Sequence, residues 1–199
     1  LRQLMLRAPG TYHHSVIVGS LSEAAAEAIG ADKLLVRVAA YFHDIGKITK
    51  PHYFVENQRD VPNPHDRLPA RKSAGIIIRH IQAGARIAAH NRLPQPIIDN
   101  ICMHHGTGMV RYFLNKAQQE AAPGEVVDEA LFRYPGPRPD TREAGILHLA
   151  DKVEAACRAV KQPTPEKFRE VIQNLISQAM NDGQLEDCSL TLKELYTIG

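Results

Sequence analysis

Apolar residues return at intervals of three and four along most of this chain, and no stretch alternates apolar with polar positions long enough for an amphipathic strand. That pattern predicts an all-α domain. The first strong helix is expected from Tyr12 to Ile29, with Ile17, Leu21, Ala24 and Ala25 inward, His14 in the first turn and Gly30 just past the end. Asp32 is placed to cap a second helix, which carries Leu35, Val38, Ala39 and Phe42 and delivers His43 and Asp44 near its C-terminal end, where Gly46 stops or bends it. Helix resumes around Ala70, with Ile76, Ile77 and Ile78 leading into His80, and another is expected from Gly84 to Asn91. Pro94 and Pro96 bracket the next start, after which Ile97, Ile98 and Ile101 bring His104 and His105 to the end before Gly106. A shorter amphipathic helix is expected from Met109 to Gln119, with Val110, Phe113, Leu114 and Ala117 along one side. Thr141 opens a helix that carries Ile146, Leu147, Ala150 and Asp151 toward the core, and Thr164, Pro165 and Gly183 delimit a last long helix bearing Phe168, Val171, Leu175 and Ile176.

Two segments break the periodicity. From Lys50 to Leu68 the chain is rich in Pro, Asn and charge, which is long for a structureless connection and more typical of a lid or binding loop, so this is the first candidate substrate loop. Phe132 to Asp140 reads FRYPGPRPD, whose three prolines exclude helix interior.

Length and composition then set bounds. With 199 residues, 44% hydrophobic and 23% charged, one soluble globular domain is expected. The 24 basic and 22 acidic residues nearly cancel, so a long nucleic acid has no bulk electrostatic hold and any phosphate ligand must be held locally. Cys102, Cys157 and Cys188 are too few and too irregular for a disulfide framework or a thiolate zinc site, which favours a reducing compartment. No apolar run approaches the roughly 20 residues that span a bilayer, and no signal segment opens the chain. The chain starts with Leu1 rather than Met, which reads as an excised piece of a longer protein and leaves room for an upstream membrane anchor.

The chemistry lies where the predicted helices end. His14, His43, Asp44, His80, His104, His105 and Asp151 offer five imidazoles and two carboxylates, enough for two metal ions. Imidazole nitrogen with carboxylate oxygen suits iron, manganese, nickel or zinc, and two such ions commonly activate a hydroxide for attack on a phosphate ester. Any one of these residues alone is more often a surface or hydrogen-bonded side chain, but the dipeptides in HDIGK and MHHG and the Asp of LHLAD all fall where a bundle core can gather them.

These motifs resemble the HD-domain phosphohydrolase superfamily, whose helical bundle holds its metals at helix ends and whose first ligand typically precedes a Ser. HHSV therefore points to His14 rather than His13. The resemblance extends over almost the whole chain: APGTYHHSV, AYFHDIGK, ENQ, NPHD, HHGT, FRYPGPRP, LADKVEAA and DGQLEDCSLTLKEL are similar to the cytoplasmic catalytic domain of the seven-transmembrane HD family of PgpH-type cyclic di-AMP phosphodiesterases. The resemblance implies one metal on His14, His43, Asp44 and Asp151 and a second on Asp44, His80, His104 and His105, with Asp44 bridging and with iron or manganese favoured. It further implies hydrolysis of cyclic di-AMP to pApA by a metal-bridging hydroxide, in the cytoplasmic part of a bacterial inner-membrane protein whose anchor lies upstream.

Related branches fit less well. The cyclic di-GMP branch carries a downstream Gly-Tyr-Pro motif that Tyr134-Pro135-Gly136-Pro137 does not reproduce, and the alarmone hydrolases follow the His-Asp pair with two acidic residues where Gly46 and Lys47 stand here. One-metal nucleotidases would leave His80, His104 and His105 unexplained. Two alternatives stay open: a two-metal phosphohydrolase of another nucleotide, and a cyclic-dinucleotide sensor that binds without turnover.

Four further residues are candidates for the substrate. Lys47 can aim an ammonium at a phosphate oxygen, and otherwise reads as a solvated surface lysine. His65 can bind phosphate or protonate the leaving oxygen, or merely order its loop. Arg133 and Tyr134 supply a guanidinium for phosphate and a ring to stack on adenine, or stiffen a proline-rich loop. His148 reads as a packing residue behind the ligands, His13, His52 and His90 as surface or structural residues, and Cys102 as a buried thiol.

Overall fold

The structure, a computed structural model, describes residues 1–58 and 62–199. Its helices are α1 (Arg2–Arg7), α2 (Pro9–Ile29), α3 (Lys33–Phe42), α4 (Ala70–Ile78), α5 (His80–His90), α6 (Gln95–Met103), α7 (Arg111–Glu120), α8 (Arg142–Cys157), α9 (Pro165–Asn181) and α10 (Leu192–Ile198). Among the described residues there is no strand, only an isolated antiparallel bridge between Met109 and Arg133, and no helix is long and apolar enough to cross a membrane. The fold is all-α.

Local chemistry sets the helix ends. Pro9 starts α2 where its missing N–H costs nothing, and Gly30 ends it in the left-handed conformation at φ 67°. Asp32 accepts from the Leu35 amide at 2.9 Å and opens α3. Thr141 and Thr164 cap α8 and α9 in the same way. The central element is α8, buried continuously from Ala144 to Asp151 and packed against α2, α3, α6 and α9. Its Ile146 and Leu147 join Val18, Val36, Ala39 and Ile101 in the main core. Phe113, Leu114 and Phe132 form a second cluster with Ala70 and Ala74, while Leu149, Ala179, Leu185 and Leu195 form a third at the α8–α10 end.

The buried face of α2 differs from the expected one. Leu21 is 41% exposed, Ala24 is exposed, and Ile17 and Ala25 are half-buried. The inward positions are instead Thr11, His14, Ser15, Val18, Gly19, Ser22 and Ala26. They form two rows with steps of three and four that include His14, and the small side chains among them let α3 and α8 pack closely on this helix. A reading weighted toward large apolar residues turns such a face outward.

Several boundaries also moved. α5 begins at His80 rather than Gly84, because Gly84 serves a close approach of backbones and not a helix start: a Cβ on the facing Gly46 would come within 1.9 Å of the His80 carbonyl oxygen. α7 begins at Arg111 because Val110 N–H is committed to the Phe132 carbonyl at 2.8 Å. The expected loop from Lys50 to Leu68 contains 3₁₀ turns at Pro51–Tyr53, Val55–Asn57 and Pro64–Arg67, and its residues 59–61 lie outside the described ones. α1 and α10 were not expected, although the capping box of Thr191 and Glu194 is a recognisable start signal for α10.

Candidate metal centre

Asp44 follows the last turn of α3 and is 1% exposed. Its Oδ2 lies 3.7 Å from His14 Nε2 and 3.2 Å from His43 Nε2, while its Oδ1 lies 3.2 Å from His80 Nε2 and 3.7 Å from His104 Nε2. Each oxygen of one carboxylate thus faces a different pair of imidazoles. Asp151, from α8, brings Oδ1 to 2.9 Å from His14 Nε2 and 3.6 Å from His43 Nε2, and Oδ2 to 3.4 Å from His105 Nδ1. All seven sequence candidates converge, falling into two groups: His14, His43, Asp44 and Asp151, and His80, His104 and His105. His105 stands at the seam, grouped with the second set yet close to Asp151.

The backbone orients these rings. Nδ1–H of His43, His80 and His104 donates to the carbonyl three residues earlier, Ala40 at 2.7 Å, Ile77 at 2.6 Å and Ile101 at 2.8 Å. A carbonyl can only accept, so a proton sits on Nδ1 of each ring and Nε2 points inward, leaving the lone pairs of His80 and His104 there and aiming His43 Nε2 at the aspartates. His80 Nε2 and His104 Nε2 then face each other at 3.4 Å without a proton between them. His43 Nε2 and Asp44 Oδ1 are buried with no hydrogen-bond partner. Inward lone pairs, an orphaned carboxylate oxygen and an orphaned imidazole nitrogen are what a pair of divalent cations would satisfy, so the donor set fits transition metal ions.

Electrostatics distinguishes the two groups. Burial opposes charge on His43, yet Asp44 and then Asp151 outweigh it and push its pKa up to about 10. His14 is likewise raised, burial being overcome by its bonds to Asp151 and Glu154. Both aspartates stay well below the usual carboxylate range in spite of burial, Asp44 chiefly through Lys47 and His43 and Asp151 through His14 and His43. The other group behaves oppositely: burial and the charge on His43 take His104 down to about 3, and burial with His104 takes His105 well below its ordinary value. His14 and His43 are driven to carry charge, whereas His104 and His105 are driven to shed it.

Lys47 Nζ sits 2.7 Å from Asp44 Oδ2 and 2.9 Å from Glu56 Oε1, and lies over the Phe54 ring at 4.9 Å from its centroid. It is a mostly buried ion pair and not a solvated lysine. Glu56 also accepts from Thr11 Oγ1 at 3.0 Å, and Thr11 N–H donates to Asn57 Oδ1 at 3.1 Å, so the 3₁₀ loop is clamped onto the start of α2. Gly10 permits the clamp, since a Cβ there would come 1.8 Å from the Glu56 carbonyl oxygen. Two clefts open on the donors and share His105, Asp151 and Ala155. One, of about 350 Å³, is bordered by His14, Lys47, Glu56 and Arg158. The other, of about 380 Å³, is bordered by Arg111, Tyr134, Lys152 and Asp182.

The remaining candidates fare unequally. The Tyr134 ring lies over His105 at 4.3 Å between centroids and borders the second cleft. Arg133, beside it, turns its guanidinium to the Thr107 carbonyl at 3.0 Å and toward Asp182 at 3.6 Å, and borders neither cleft. His65 is not brought to the donors: its Nε2 bonds the Tyr53 carbonyl at 2.9 Å and its ring packs on Tyr53 and Phe113, the loop-ordering role. His148 is fully buried behind the centre, its Nδ1–H on the His104 carbonyl at 2.8 Å. His13, His52 and His90 are exposed, and the buried thiol is Cys188 while Cys102 is half-buried. Sequence reasoning assigned nothing to Glu56, Arg111, Lys152, Glu154 or Arg158. The signal for Glu154 and Arg158 was available, since they continue the Asp151 face of α8 at steps of three and four.

Comparison with known proteins agrees with this geometry. The HD domain model matches residues 11–156. The chain is 46% identical over its full length to the cyclic-di-AMP phosphodiesterase PgpH of Bacillus subtilis and 48% identical to that of Listeria monocytogenes, spanning 27% of each relative. It also superposes on the crystal structure of the L. monocytogenes phosphodiesterase PgpH HD domain in complex with cyclic-di-AMP with a TM-score of 0.94 at 47% identity, covering 99% of this chain and 91% of that one. With its His-Asp pair at the hub of the convergent donors, the chain belongs to the HD domain family.

Proposed function

We propose that this chain is a metal-dependent phosphodiesterase that opens cyclic di-AMP to pApA. The observation that carries the reading is the Asp44 carboxylate, each of whose oxygens faces its own pair of Nε2 atoms. The substrate assignment is supported by the 46% and 48% identity to enzymes of that name and by the likeness to a domain crystallised with the dinucleotide.

In this reading His14, His43, Asp44 and Asp151 hold one divalent ion and Asp44, His80, His104 and His105 the other, iron or manganese being the proposed occupants of such nitrogen and oxygen donors. Bound there, such ions would lower the pKa of a water toward neutral and would bring positive charge to the scissile phosphate. The protein's own groups do the rest. Lys47, fixed between Asp44 and Glu56, keeps Asp44 ionised and holds an ammonium at the cleft edge, where it stabilises charge building on a phosphate oxygen. Tyr134 offers a ring face to a base, and Arg111 and Lys152 offer cations to the second phosphate of a cyclic dinucleotide. Burial holds the Tyr134 phenol protonated, so its hydroxyl serves as a donor. The domain is proposed to work at the cytoplasmic side of a bacterial inner membrane, tethered through segments outside this chain, in keeping with the much greater length of the relatives.

The test is turnover of cyclic di-AMP, with cyclic di-GMP as comparison and iron, manganese or zinc supplied in turn. Selective conversion to pApA is the expected result. Metal-dependent hydrolysis without base preference would keep the hydrolase and discard the substrate, and tight nucleotide binding without turnover would make the domain a sensor.

A further inference from the structure

His14 is oriented unlike its neighbours. His43, His80 and His104 rest their Nδ1–H on neutral carbonyls of their own helical turns, whereas His14 Nδ1 meets the Glu154 carboxylate at 2.5 Å from across the bundle. Glu154 is 8% exposed, and its Oε2 is also held by Arg158 Nη2 at 2.5 Å, so the carboxylate is fixed from two sides. Arg158 Nη2 lies 3.2 Å from His14 Nδ1, but both nitrogens carry protons aimed at the same oxygen, which is the acceptor for each. A carboxylate behind an imidazole fixes the ring's tautomer and strengthens its lone pair more than a backbone carbonyl does.

The placement of the carboxylates runs the same way. Among the described residues, the half containing His14 has Asp151 Oδ1 and Asp44 Oδ2 with Glu154 behind it, set against Lys47 on that Oδ2 and Arg158 on Glu154, while the half containing His80, His104 and His105 has Asp44 Oδ1 and reaches Asp151 through His105 alone. We infer that Glu154, clamped by Arg158, is a positioning residue for His14 that makes the carboxylate-rich half the tighter of the two metal positions. This rests on the two-metal reading of the donor set and assigns a residue that lies outside it. The other half, whose own donors are three imidazoles, is the exchangeable one.

The experiment is a chelator challenge of manganese-loaded protein, with manganese per chain measured by elemental analysis at each chelator concentration. Wild-type protein is expected to release two ions in two separate steps. Glu154→Gln, which keeps the size and an acceptor oxygen but removes the charge, is expected to weaken the tighter step about 10–100-fold and leave the looser one in place. In a His14→Ala background the same substitution is expected to add less than about twofold, because its effect passes through His14; matching far-UV circular dichroism excludes unfolding as the cause. Release of both ions in one step, or a Glu154→Gln effect that is absent, confined to the looser step or spread equally over both, overturns the inference. Wild-type protein that takes up fewer than two ions overturns the two-metal reading itself, a separate failure visible before any variant is made.

Discussion

The floor of the cleft and its rim are built to different tolerances. On the floor, seven donors from α2, α3, α5, α6 and α8 and the turns that follow them point inward, and each ring with a backbone partner is locked by a carbonyl of its own turn. On the rim, Tyr134, Arg111, Lys152 and Arg158 come from a loop and from helix surfaces, and Arg158 has 46% of its side chain exposed. The floor fixes chemistry by over-determination. The rim is held by fewer contacts of this kind.

The largest expected effect breaks the floor. Asp44→Ala removes the one carboxylate among the described residues that faces both imidazole pairs, so metal content should fall below one ion per chain and turnover by more than about 10³-fold, read by elemental analysis and product assay. Full turnover with two ions retained would show that the floor does not work as a unit. Lys47→Met tests the boundary between the regions. It should lower kcat about 10²–10³-fold while KM changes little, because the ammonium acts on charge that develops during reaction.

Acid sharpens the comparison further, since the floor is more deeply buried than the rim. Burial pulls His148 down to about 4, and its proton on Nδ1 is committed to the His104 carbonyl, so it stays neutral in the folded protein. The unfolded chain protonates this residue below about 6.5. Stability from the neutral ring is therefore fully present above that pH and lost as pH falls toward 4, by up to about 3 kcal/mol. In chemical denaturation of metal-free protein, His148→Gln should show a shallower loss between pH 6.5 and 4 than wild type. An identical slope in the two proteins would place the acid sensitivity elsewhere.

On the rim the expected effects are smaller. Tyr134→Leu should raise KM about tenfold, the order of one lost base stack, with two metals retained. Arg133→Ala and His65→Gln should each change kcat/KM by less than about threefold, because Arg133 is engaged by Thr107 and Asp182 and His65 by Tyr53. A hundredfold loss in either would make these loops part of the substrate site after all.

The same contrast explains how much could be read in advance. Helix order and the seven donors were legible because periodicity, capping and ligand chemistry each constrain residue type at a fixed spacing, and the His-Asp and His-His dipeptides fall where helices must end. The inward face of α2 was not legible, because a helix that packs through Ser15, Val18, Ser22 and Ala26 carries little apolar contrast. Glu56 and Glu154 were passed over because an acidic residue is mostly a surface residue, and only the fold reveals the lysine or histidine it faces. Arg133 and His65 stood in the expected loops, but loop composition does not say which way a side chain turns.

The central claim is that two metal ions share Asp44. Its most direct test is anomalous X-ray diffraction from crystals of the manganese-loaded protein, recorded on both sides of the metal absorption edge. The account predicts two anomalous peaks, one on each oxygen of Asp44, with His14, His43 and Asp151 around the first and His80, His104 and His105 around the second. A single peak, or two peaks with Asp44 bound to neither or to only one, would contradict it.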